Sequence, residues 1–158
     1  MSCEGYLAGL RDADPMSPQP VMTADELNDF FLAAFEGSER SYRIERVEPG
    51  RVLARVPVAN LMLRPGGTVS GPTQMGLADG AAYALILAHI GPVALAVTSS
   101  LNIAFLRKPQ PADLVADATF LKLGRKLAVV DVRLRSEGSD DPIAQATVTY
   151  AIPSSEYI

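Results

Sequence analysis

The sequence predicts an α+β fold in which an antiparallel sheet wraps around one long central helix. Three observations carry this. Residues 73–90, TQMGLADGAAYALILAHI, are apolar almost all round and rich in helix formers. A helix without a wide polar face is buried on most sides. The segments flanking it alternate apolar and polar residues at the period of half-buried strands. The order along the chain is one helix, two strands, the buried helix, then four strands, or three with one long.

Residues 1–22 hold Gly5, Gly9, Pro15, Pro18 and Pro20 and read as an arm that packs late, with the domain proper spanning 23–158. Thr23-Ala24-Asp25-Glu26 has the pattern of a capping box. Leu27, Phe30, Phe31, Ala34 and Phe35 recur at helical spacing, and Gly37 is a natural stop, so a first helix is expected over about 24–36. Residues 42–47 read as a short strand. Val52, Ala54, Val56 and Val58 alternate with Arg51, Leu53 and Arg55 as a second. Residues 60–69 contain Pro65, Gly66 and Gly67 and form a loop. Ser70 is a plausible N-cap for the buried helix, Pro72 suits a first turn, and Gly91-Pro92 ends it. Gly76 and Gly80 each weaken that helix by about 1 kcal/mol relative to Ala, so close approach of another backbone is expected there. Residues 93–105 are apolar or small throughout, as in a central strand. Strands over 114–123 and 127–135 and an alternating run over 144–152 follow, with turns at Gly124-Arg125 and Ser139-Asp140-Asp141-Pro142. One helix has limited surface, so leftover strand edges invite pairing between subunits.

The chain has 158 residues, 48% hydrophobic and 20% charged, enough for one domain with its own core. Its net charge of −4, without Lys/Arg runs, disfavours nucleic-acid binding, so an anionic ligand must be held by local basic residues. A ligand-sensing regulator would need a DNA-binding segment that this short acidic chain lacks. The single cysteine, Cys3, forms no internal disulfide and reads as an incidental thiol. One histidine, His89, builds no multi-His metal site and is most simply a helix C-terminal residue favoured by the helix dipole. No run is long and apolar enough for a membrane span, and the N-terminus is not a secretory signal, so a soluble cytoplasmic protein is expected.

Local sequences then narrow the fold. Gly67-Thr68-Val69-Ser70-Gly71-Pro72, four further residues, and Leu77-Ala78-Asp79 form one block. Leu101-Asn102-Ile103-Ala104-Phe105-Leu106-Arg107-Lys108-Pro109, Leu121-Lys122-Leu123-Gly124-Arg125-Lys126 and Ala144-Gln145-Ala146-Thr147 follow in order. Over roughly residues 23–152 this resembles the PaaI-like acyl-CoA thioesterases of the hotdog fold. Three positions depart from the family pattern: Ser70 stands for its His, Pro72 for the second Gly of its pair, and Arg64 where Asn is frequent. The resemblance implies hydrolysis of an acyl- or aryl-acyl-CoA by a homodimer or dimer of dimers. Coenzyme A then belongs to the substrate, and no separate cofactor or metal is expected. The alternative is a non-catalytic hotdog module that binds acyl-CoA or a small aromatic ligand, a reading motivated by Ser70 and Pro72.

Asp79 is the residue on which the chemistry turns. Between Thr73 and Ala88 it is the only ionisable side chain apart from the Tyr83 phenol. A carboxylate inside such a helix is costly without hydrogen-bond partners or a task, and burial would raise its pKa. The functional reading makes it a general base or the nucleophile; the bland one makes it a structural carboxylate bonded to backbone or to Thr98. By resemblance, the Gly71 N–H at the helix start is the oxyanion donor. Pro72 donates no N–H, leaving fewer donors there than Gly would. Asp79 lies eight residues beyond Gly71, about 12 Å along an ideal helix. The family's arrangement, Gly71 of one subunit facing Asp79 of the other, resolves that separation. Ser70 donates to substrate or, more simply, caps the helix. Thr98 falls about one strand register from where relatives place a Ser or Thr near the attacking water. Gln74, one turn before Asp79, is a candidate pocket residue. Arg107, Lys108, Arg125 and Lys126, in two loops at strand ends, and Arg64 are candidates for the phosphates of CoA. Hotdog hydratases pair a histidine with a carboxylate, and no histidine here occupies such a motif.

Overall fold

The computed structural model describes residues 17–35, 41–61 and 63–154. Gly37 and Cys3 lie outside the described residues. Helix α1 (Ala24–Ala34) opens on the expected capping box: the Thr23 hydroxyl accepts from Glu26 N–H, and the Glu26 carboxylate accepts from Thr23 N–H. Strands β1 (Arg43–Glu48) and β2 (Arg51–Val56) are joined by a Pro49-Gly50 turn with Gly50 at φ +70°. Pro57 ends β2, so Val58 belongs to a short 3₁₀ turn (Val58–Asn60) and not to the strand. Helix α2 (Gly71–Ile90) is followed by β3 (Val97–Phe105), β4 (Leu114–Leu123), β5 (Leu127–Ser136) and β6 (Pro142–Ala151).

The six strands form one antiparallel sheet in the order β1-β2-β4-β5-β6-β3. Its inner face, with Val52, Ala54, Ala116, Ala118, Val130, Val132, Ala146 and Val148, packs on α2, which is buried continuously from Gly80 to His89. The expected sheet around a central helix is therefore present.

Three further expectations are corrected. The apolar run 93–105 is not a central strand: β3 begins at Val97, lies at the sheet edge and is mostly exposed. Gly80 accommodates a side chain, since a Cβ there would overlap the phenol ring of Tyr42. His89 is not a dipole-stabilised cation. Its Nδ1–H donates to Leu85 O at 2.8 Å while Nε2 accepts from Gly50 N–H at 3.0 Å, and burial holds its pKa below the usual imidazole value against the opposing pull of the Leu85 and Pro18 carbonyls. Two neighbours thus fix the neutral tautomer.

The two sheet edges are treated differently. On β1, Asn28 from α1 accepts from Ile44 N–H and donates to Ile44 O, both at 2.9 Å, filling the backbone groups of that one residue. Among the described residues nothing bonds to the outer edge of β3. Around that edge Leu95, Val97, Phe105 and Leu106 are 50–60% exposed.

Candidate functional site

Helix α2 presents Pro72, Met75 and Gly76 to the outside, with Asp79 half-buried in the same stripe. The Asp79 carboxylate meets two hydroxyls. Thr98 Oγ1 donates to Oδ1 at 2.6 Å, and Tyr150 Oη donates to the same oxygen at 2.9 Å. Both bonds fall on Oδ1, and among the described residues none reaches Oδ2. Asp79 is less deeply enclosed than its apolar sequence surroundings suggest, because the first turns of α2 stand beside the open β3 edge.

The two donors form a cross-strand pair, Thr98 on β3 opposite Tyr150 on β6. A bulge at Ser99 brings Thr98, rather than its neighbour, to the inner face. Thr98 is exposed, whereas Tyr150 is 3% exposed and stacks on Tyr83 at a centroid distance of 5.7 Å. Burial, foremost, pushes the Tyr150 phenol above its ordinary value, so it keeps its proton and remains a donor. Sequence reasoning missed Tyr150. It lies 71 residues beyond Asp79 and follows the inward alternation of any core residue on β6.

At the start of α2, Ser70 is the N-cap: its hydroxyl accepts from Thr73 N–H at 3.3 Å and lies 2.8 Å from Thr73 Oγ1. Pro72 has no N–H, and Gln74 N–H goes to Ser70 O. The Gly71 N–H is thus the first-turn donor that takes no partner among the described residues. A Cβ on Gly71 would stand 3.3 Å from the Phe105 ring, which places the helix start beside the end of β3. Gly71 and Asp79 therefore flank opposite ends of the open edge, one by Phe105 and the other by Thr98.

The other candidates are dispersed. Gln74 is buried at 4% exposure away from the Asp79 stripe, its Nε2 donating to Val69 O at 3.5 Å and its Oε1 unpartnered. Arg64 is exposed, its N–H donating to Thr68 O within the loop before α2. Arg107 and Lys108 are exposed beside the start of β6, with Arg107 Nη1 donating to Pro142 O at 2.8 Å. Arg125 and Lys126 are exposed beyond its far end, where Ile152 N–H donates to Lys126 O. Ten strand residues, about 30 Å, separate the two pairs. One chain does not bring them together.

The sequence profile described as "Thioesterase superfamily" matches residues 66–143, the stretch that holds Gly71, Asp79 and Thr98. A crystal structure of a candidate thioesterase from Silicibacter sp. TM1040 is 42% identical to the chain, with 88% of this chain and 97% of that one aligned at a TM-score of 0.81. The chain belongs to the thioesterase superfamily. Its architecture is accordingly the hotdog fold. Zebrafish thioesterase superfamily member 2 shares the fold at 22% identity, with 84% of this chain and 99% of that one aligned and a TM-score of 0.72. So does a hypothetical thioesterase from Streptococcus pneumoniae solved with coenzyme A, at 22% identity, 82% and 96% coverage and a TM-score of 0.64. No curated protein matches the chain. Among the described residues of this superfamily member, no helix is long and apolar enough to cross a membrane.

Proposed function

We propose that the chain is an acyl-CoA thioesterase of the PaaI-like type, with each site shared between two copies paired along β3. The observation that supports this reading most is the disposition of groups along the open edge. Among the described residues, a half-buried carboxylate with one unbonded oxygen stands at the Thr98 end, and a helix N–H without a partner stands at the Phe105 end. A two-fold axis through the middle of β3 would bring Asp79 of one copy opposite Gly71 of the partner subunit. The uncovered backbone and the exposed Leu95, Val97, Phe105 and Leu106 favour such pairing. The same axis would carry Arg107 and Lys108 of one copy towards Arg125 and Lys126 of the partner subunit, gathering basic side chains that one chain keeps apart. These would meet the phosphates of CoA. The coenzyme A in the Streptococcus pneumoniae relative supports this substrate class.

In the reaction, the thioester carbonyl oxygen lies on the Gly71 N–H, which stabilises the negative charge formed on attack. Asp79 takes a proton from water as the hydroxyl adds to the carbonyl carbon, or adds its own carboxylate oxygen, giving an anhydride that water then opens. In either case the C–S bond breaks, the thiolate leaves and takes up a proton, and the free acid is released. Thr98 and Tyr150 hold the carboxylate while this occurs. Ser70 keeps the helix start in place as its cap.

Hydrolysis of short, medium, long and aromatic acyl-CoAs, followed by thiol release, tests the proposal. Asp79→Ala is expected to lower turnover at least about 100-fold. Unchanged turnover in a folded Asp79→Ala protein would sink the mechanism, and tight binding of acyl-CoA without turnover in the unsubstituted protein would favour a binding module.

A further inference from the structure

We propose that Tyr150 is the positioning residue for Asp79, anchoring Oδ1 from the core so that Oδ2 is the oxygen presented for reaction. This inference rests on the reading of Asp79 as the reacting acid. Two hydroxyls donate to Oδ1, but their surroundings differ. Thr98 is exposed on an edge strand, so water can replace its bond or the hydroxyl can turn to another acceptor. Tyr150 sits at 3% exposure in the interior strand β6. Its ring is one layer of a stack running from Phe31 through Tyr83 (5.6 Å) to Tyr150 (5.7 Å, 13° between planes). Tyr83 is itself tied to Ala94 O by its hydroxyl. The stack crosses from α1 through α2 to the sheet and leaves the phenol little freedom to rotate away. Its hydroxyl also lies 3.3 Å from the main-chain O of Asp79, so one group addresses both the backbone and the side chain of that residue.

A buried hydrogen bond that water cannot replace contributes more to orientation than an exposed one. Tyr150, not the shorter Thr98 contact, is thus the main anchor. Among the described residues the titratable groups that bear on Asp79 or on its anchor are phenols: Tyr150 on β6, Tyr83 on α2, which stacks on it, and Tyr42 ahead of β1, which lies over Gly80. Among the described residues no Lys, Arg or His pairs with Asp79.

The test combines spectroscopy and kinetics on the full chain. The Tyr150 hydroxyl proton, assigned through its ring in tyrosine-labelled protein, should resonate downfield in slow exchange and move upfield or vanish in Asp79→Ala. Tyr150→Phe, which removes one oxygen, should lower kcat roughly tenfold with KM changed less than twofold, and Thr98→Val should lower it less. A hydroxyl resonance indifferent to Asp79→Ala in a folded protein overturns the inference without needing Tyr150→Phe to fold. A Thr98→Val effect equal to or larger than that of Tyr150→Phe overturns it as well. If the resonance responds but neither Asp79→Ala nor Tyr150→Phe alters turnover, the anchoring stands and the thioesterase reading fails.

Discussion

Gly80 shows how a single missing atom shapes the neighbourhood of the site. The Tyr42 ring occupies the space a Cβ would take, directly after Asp79 on the helix. Gly80→Ala gains about 1 kcal/mol of helix propensity, but forcing the ring aside costs about 1–3 kcal/mol. The expected net is a loss of about 1 kcal/mol in urea unfolding, which Tyr42→Ala should convert to a gain in the double variant. Legibility at this scale followed chemical singularity. Asp79 stood out as the one carboxylate in an apolar helix, and Ser70 as the residue before Gly71-Pro72. Tyr150 did not, because an inward tyrosine on a strand carries no local mark of what it touches. Thr98 was named as a partner of Asp79, and it is one; strand alternation alone would have missed it, because counting back from Leu101 points Ser99 inward, whereas the extra residue hands that place to Thr98.

Helix α2 was legible almost to its ends because cap, proline and terminal glycine all lie in its own sequence. Strand β3 was misjudged because apolar content reports burial against something without saying whether that partner is the same chain. The contact between α2 and the β1–β2 turn carries a pH consequence. Folding keeps His89 neutral between Leu85 O and Gly50 N–H, with its pKa lowered by burial. The unfolded chain then binds the extra proton first as pH falls through about 6.5. This group's contribution to stability is complete above that pH and declines below it until the folded pKa is reached. Urea midpoints should fall between pH 7 and 5.5, and His89→Gln should flatten that slope. An unchanged slope in the variant would exclude His89 as its source.

At the scale of the whole molecule, one sheet edge is partly capped and, among the described residues, the other is open. Asn28 occupies the outward groups of β1 at Ile44, while β3 has no counterpart. On the shared-site reading, two defective chains should rescue one another. Gly71→Pro removes the candidate donor at the first helical position, where Ser70 at ψ 153° is compatible with a following proline; its ring must also fit beside Phe105, 3.3 Å from a Cβ there, and residue 71 itself precedes Pro72, so folding and dimer formation of the variant are checked first. Gly71→Pro and Asp79→Ala should each be inactive alone. Co-expressed in equal amounts, they should recover about one quarter of normal activity, since half of randomly paired dimers carry both chains and each such dimer holds one intact site. No recovery in verified mixed dimers would place the donor and the acid in a single chain.

The bare rim of β3 also bears on timing. On the same reading, a newly made chain carries its acid without the amide that must face it. It can then fold, cap its helix and seat its tyrosines while leaving the cell's thioesters untouched, and cleavage begins only once a second finished chain has met the first.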